Sequence, residues 1–215
     1  MKRLLQKEFR LAMHPTVPLF WMLSAMLIIP NYPYYVTFFY TSLALFFVCL
    51  SGRENHDLEF SVTLPVSKTA LVRARLNFAV IVQLVQALVA IPFAILRQHM
   101  PLPGNQVGMD ANIAFFGLAF GMMGLFNLLF FPCYFSAPEK VGKAFVRSST
   151  VTFLYMGLME TLTHIVPFFR DRLDTLDPAF LSEKLAVLCA GLIVYALLTL
   201  AAGRISEKRF EALDL

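Results

Sequence analysis

Apolar residues in this chain come in blocks long enough to cross about 30 Å of hydrocarbon, and nearly all the charge falls in the short segments between the blocks. That pattern excludes an ordinary soluble domain before any motif is considered. Of 215 residues, 58% are hydrophobic and only 15% are Asp, Glu, Lys or Arg, whereas a soluble domain carries roughly 25% charged residues. So little charge could not cover a water-exposed surface. The blocks predict an all-α polytopic membrane protein with six transmembrane helices, at about residues 17–30, 33–50, 76–96, 111–135, 148–169 and 184–202.

Residues 1–13 place Leu4, Leu5, Phe9 and Met13 on one helical face and leave Lys2, Arg3, Lys7 and Arg10 to the other. This is the signature of an N-terminal amphipathic interfacial helix. No small-x-small site closes the next apolar stretch and a further span follows almost at once, which argues against a cleaved signal peptide. Span one falls short of 20 residues and is expected to be thin, tilted or continuous with the interfacial helix. Pro30 and Pro33 end one helix and start the next, and Pro92 is expected to bend the outer end of span three.

Segments 1–13, 51–75, 136–147 and the C-terminal tail hold 14 of the 18 Lys and Arg residues, and the alternate loops hold 4. The positive-inside rule therefore puts both termini in the cytoplasm, which requires an even number of spans. The net charge of +4 is spread over these segments and forms no stripe, so anionic lipid headgroups are the expected partner and nucleic acid is not.

Catalytic signals are weak. Cys49, Cys133 and Cys189 form no C-x-x-C pair and read as small hydrophobes. Residues 137–144, APEKVGKA, lack the first Gly and the closing Ser or Thr of a phosphate-binding P-loop. The four His residues include no H-E-x-x-H. No cofactor or metal site is expected in this chain, and ATP hydrolysis would have to come from a partner.

Segment 51–75 combines acids (Glu54, Asp57, Glu59), a helix-stopping LPVS at 64–67 and the basic residues Lys68, Arg73 and Arg75. It can form short helices presented to another protein. The plainer reading has the basic residues anchor span three at phosphate depth while Pro65 starts the helix; it leaves the acids and Phe60 unexplained.

Glu160 and His164 share a face of span five, and a carboxylate in hydrocarbon is a functional candidate unless a neighbour satisfies it. Gln83, Gln86 and Asn127 either line a pathway or tie helices together. Gly117, Gly121 and Gly124 predict a close helix seam, between subunits included. Asp171, Asp174 and Asp177 form an acidic run before span six. Phe38, Phe39, Tyr40, Phe46 and Phe47 in span two suit amphipathic cargo or lipid exposure equally.

Residues 57–75, DLEFSVTLPVSKTALVRAR, resemble the D-x-x-F-x-x-S-LPVS-R-x-x-V-x-x-R stretch after the second span of small bacterial ABC-2 type transporter permeases. Asp57, Phe60, Leu64, Pro65, Val66, Ser67, the basic Lys68 and Arg75 match, with Thr63 in the Ser place. Residues 131–140, FPCYFSAPEK, resemble the P-x-Y-F-x-x-G-x-E-K pattern after the fourth span: Pro132, Tyr134, Phe135, Glu139 and Lys140 match, and Ala137 replaces Gly.

The resemblance implies a permease subunit in the bacterial cytoplasmic membrane. It would pair with a second copy or a related permease and recruit cytosolic ABC ATPase subunits that bind ATP and Mg. Asp57, Phe60, Leu64, Pro65, Ser67, Lys68, Glu139 and Lys140 would form the ATPase-coupling surface. Export of an amphipathic peptide, antibiotic or lipid-like molecule is the implied activity. Two other classes stay open: a non-transporting scaffold or immunity-type protein, and an ion-coupled carrier or intramembrane enzyme centred on Glu160 and His164.

Overall fold

The structure, a computed structural model, describes residues 2–101, 103–175 and 178–213, so Asp177 of the acidic run lies outside the described residues. All regular elements among these are helical. Helix α1 (Lys2–Lys7) continues into a π-helical turn, Glu8–Ala12, and α2 (Thr16–Met22) into a 3-10 stretch, Leu23–Ile28. These two N-terminal arms meet at 83°. Then come α3 (Tyr35–Glu54), α4 (Asp57–Val62), α5 (Lys68–His99), α6 (Ile113–Ser136), α7 (Val141–Ile165) and α8 (Leu181–Glu211).

Four helices, α3, α5, α6 and α8, are long and apolar enough to cross a membrane, and the bent N-terminal pair would make a fifth if it is one span. This is fewer than the six expected from the sequence. Helix α2 with its 3-10 continuation ends at Ile28, too short to cross alone. Helix α7 has the length, 25 residues, but carries Ser148, Ser149, Thr150, Thr152, Glu160, Thr161, Thr163 and His164.

The helix limits follow local chemistry. Residues 63–67 separate α4 from α5, and the Ser67 hydroxyl caps α5 by accepting from the Ala70 N–H at 3.2 Å. Asn31 makes the turn before α3 at φ 55°, and its side-chain carbonyl accepts from the Gln106 N–H at 3.1 Å. Helix α5 runs through Pro92.

Helix α6, apolar on all sides, is the centre: 67% of its spanning stretch is buried, against 17% for α8. Gly117 lies where a Cβ would come 2.5 Å from the Val187 carbonyl, and one on Gly191 would come 2.0 Å from the Gly117 carbonyl. The expected small-residue seam therefore closes α6 on α8 within one chain. Gly121 leaves that seam and faces the Tyr155 hydroxyl of α7.

Aromatic clusters fill the core above and below this seam. One gathers Phe78, Phe126, Phe130, Phe131, Tyr134, Phe135 and Phe210, the other Tyr34, Tyr35, Phe38, Phe115 and Phe120. Phe38 and Phe39 are buried, with Phe39 4.6 Å from Phe153 and Phe46 4.3 Å from Phe145 between ring centres. Helix packing explains these span-two aromatics without cargo or lipid.

Candidate functional site

The short helix α4 projects from the end of α3 and is aimed by two local devices. His56 takes the left-handed conformation at φ 52°, turning the chain sharply between α3 and α4. The His56 carbonyl then accepts from the Phe60 N–H at 2.9 Å, closing the first turn. Phe60 is left 65% exposed on this projection, although burying a Phe is strongly favourable in water. Leu64 is 39% exposed, and Pro65 and Ser67 are exposed beside it.

Asp57 stands on the inner side of α4. Its carboxylate faces inward, 2.8 Å from the Arg75 guanidinium and 2.5 Å from Lys7 Nζ. Arg75, only 2% exposed, also pairs with Glu8 at 2.6 Å. The Glu8 contact is an ion pair rather than a hydrogen bond, because the Nε–H is not aligned on the carboxylate. Lys7 further donates to the Ser61 hydroxyl at 2.7 Å. The N-terminal arm, α4 and α5 thus meet at one buried guanidinium. Tyr134, from the second sequence motif, is fully buried among the same charges, and Gly52 leaves room for the Arg75 head.

Lys68 points away from α4: it donates to the Leu213 carbonyl and lies 5.8 Å from the centre of the Phe210 ring. Thr69 to Glu211 (2.8 Å) and Arg73 to Glu207 (2.7 Å) continue this tie between the start of α5 and the end of α8. Glu139 and Lys140 are exposed in the Pro138–Lys140 turn, 3.6 Å apart. Glu139 faces Glu59 and His56 across a cleft of about 150 Å³ floored by Leu58, Tyr134 and Pro138.

The opposite end is closed by the 100–112 loop. The Glu160 carboxylate accepts from the Met109 N–H at 3.1 Å, and His164 Nε2 lies 3.2 Å from the Val107 carbonyl. Each partner is loop backbone. A Cβ on Gly108 would come 1.3 Å from the Glu160 carboxylate, so any larger residue there would have to displace the Glu160 side chain from the loop. Asp174 accepts from the Asp110 N–H at 2.7 Å. Burial pushes its carboxyl up to about 6, against the opposing effect of that hydrogen bond. Among the described residues no group of three or more His, Cys, Asp or Glu could hold a metal ion.

Two sequence motifs 74 residues apart at their starts, 57 and 131, therefore converge on one buried charge cluster beneath an exposed helix. The family model of the ABC-2 family transporter proteins matches residues 3–211. The chain belongs to this family. No curated protein and no solved structure matches it.

In this ABC-2 transporter protein the helix amides are bonded to other helices. Gln83 and Asn127 exchange two hydrogen bonds of 2.9 Å, Asn127 also donates to Thr199 at 3.0 Å, and Tyr195 donates to Gln83 at 2.8 Å. Gln86 donates to Ser24 at 2.9 Å. All three amides are completely buried and join α5, α6, α8 and the 3-10 stretch of the N-terminal arm. Sequence reasoning missed Glu8, although it is the sole acid among the basic residues of 1–13. It also passed over Gly108 and Gly191, whose partners lie in distant helices.

Proposed function

We propose that this chain is the membrane subunit of an ATP-driven exporter, coupled through α4 to separate cytosolic ABC ATPase subunits that hold the ATP and Mg. The observation that carries this reading is Phe60, an exposed aromatic on a six-residue helix that a buried Arg75–Asp57–Glu8 cluster braces against the rest of the bundle. A rigidly held apolar protrusion suits docking into a partner's groove. The adjoining cleft adds a polar rim of Arg53, His56, Glu59 and Glu139. Force applied to α4 would pass through Arg75 to α5 and to the N-terminal arm.

The subunit works as a pair with a second copy or a related permease, in the bacterial cytoplasmic membrane, with six spans and cytoplasmic termini. Helix α7 supports the sixth crossing because its polarity is largely satisfied internally: Thr150, Thr152, Thr161 and Thr163 each donate to the carbonyl four residues back. Leu4 and Leu5 of α1 and Phe9 of its π-helical turn face the bundle, with Phe9 and Phe78 4.9 Å apart, while Lys2, Arg3 and Arg10 are exposed. Such an arm lies along the headgroup layer. The cargo is an amphipathic peptide, antibiotic or lipid-like molecule. The loop-bound state of Glu160 favours this over an ion-coupled carrier.

Capture of the tagged chain from its native membranes tests the reading. The wild type should bring down an ATP-hydrolysing subunit, and Phe60→Asp should lose it while melting at the wild-type temperature. A wild-type chain without any ATPase would overturn the exporter reading, and retention by Phe60→Asp would move the docking surface away from α4.

A further inference from the structure

We infer that the groove between the start of α5 and the end of α8 is a binding site for one anionic phospholipid. The groove encloses about 390 Å³. Its two walls are helix faces with matching spacing: Arg73, Leu76, Asn77 and Val80 on α5, and Leu200, Gly203, Arg204 and Glu207 on α8. Arg73 is bonded to Glu207 at the charged end, and Thr199, Leu200 and Val80 line the other end, about 10 Å away along α5. The groove is therefore amphipathic along its length, with a charged mouth and an apolar floor.

The charges at the mouth are unequal. Glu207 is neutralised by Arg73, through bonds of 2.7 and 3.3 Å. Arg204 is exposed and has no hydrogen bond or ion pair among the described residues. One positive charge is left over, beside the exposed Asn77 amide. That pair suits a phosphate diester, with the guanidinium and the amide as donors.

The apolar floor selects a lipid over a free anion. A phosphate alone would leave the surface of Val80 and Leu200 uncovered, whereas an acyl chain covers it. Gly203 provides the space, since a Cβ there would meet only the tip of Leu76, at 3.7 Å. The surplus charge selects an anionic over a zwitterionic headgroup, worth about fivefold for a single basic side chain at a membrane surface. The inference rests on the chain's lying in a bilayer and not on its coupling to an ATPase.

Native mass spectrometry of the purified chain, titrated with phosphatidylglycerol, phosphatidylcholine or inorganic phosphate, tests it. The wild type should retain one phosphatidylglycerol per chain, about fivefold more tightly than phosphatidylcholine, and millimolar inorganic phosphate should not displace it. Arg204→Gln should erase the preference between the two lipids, and Gly203→Leu, which fills the groove, should remove both. Leu200→Trp provides a second filling variant if Gly203→Leu does not fold. Equal phosphatidylglycerol retention by wild type, Arg204→Gln and the filled variant would overturn the site. Full displacement by phosphate would make it an anion site without a lipid. A chain absent from the membrane fraction would instead sink the bilayer reading itself.

Discussion

Arg75 is the residue on which the cytosolic end depends. Its removal would strand the buried Glu8 and leave the mostly buried Asp57 with Lys7 alone. Breaking a buried ion pair from one side costs about 3–5 kcal/mol, because the remaining charge has lost both water and partner. Arg75→Ala is therefore expected to destabilise by that amount. Arg75→Lys should fall between, since one ammonium cannot serve two carboxylates in the planar geometry of a guanidinium. The single Trp21 donates to the Val82 carbonyl at 3.0 Å and gives a fluorescence readout for denaturant unfolding in micelles. A loss below about 1 kcal/mol for Arg75→Ala, the range of an exposed pair, would mean that the cluster does not brace α4. The sequence displayed the residue types of this cluster but not their directions. Asp57 and Phe60 stand in one motif, yet one faces the core and the other faces out. A single turn of helix decides between them, and that turn is set by the left-handed His56 together with the charges that α1 and α5 bring to Asp57.

At the scale of elements, the seam between α6 and α8 turns on backbone contact. Gly117 meets the main chain of Val187 and Leu188, and Gly191 that of Gly117, so a side chain on either must push the helices apart. Gly142 and Gly157 have nothing within 4 Å of a Cβ position. Gly117→Ala and Gly191→Ala should each destabilise by about 1–3 kcal/mol, whereas Gly157→Ala should be neutral or stabilising by up to about 1 kcal/mol, since Ala is the better helix former. The same fluorescence-monitored unfolding ranks the three variants. A Gly191→Ala protein as stable as Gly157→Ala would mean the two helices are not in backbone contact. The spacing of the glycines was legible as a seam, because small residues four apart share a face. Its partner was not, since α8 contributes only Gly191, and a lone glycine in an apolar block has no periodic signal. The Gln83 and Asn127 amides were equally ambiguous: a buried amide and a pathway amide have the same sequence.

For the whole molecule, the open question of topology is whether α7 crosses the bilayer. Hydropathy alone discounts it, because Glu160, His164 and a run of Ser and Thr lower its mean, each hydroxyl being counted as free. In α7 the hydroxyls of Ser148, Thr150, Thr152, Thr161 and Thr163 bond back to carbonyls one turn earlier, as in Thr161 to Gly157 at 2.7 Å, so the helix presents less polarity than its composition suggests. Its 25 residues span about 37 Å at the helical rise. Lys143 and Asp171 lie near its two ends and are exposed. In a background with Cys49, Cys133 and Cys189 replaced by Ala, a membrane-impermeant maleimide applied to intact cells should label Asp171→Cys, and should label Lys143→Cys only after permeabilisation. Labelling of both from the same side would leave α7 on one face of the membrane and remove the sixth span. It would also put the C-terminal end of α8 opposite α4, against the Lys68, Thr69 and Arg73 ties to the last turns of α8. Those ties make the parity of the crossings testable as one unit: α5 starts where α8 ends, so α6 and α7 between them must return the chain to the side from which α8 sets out.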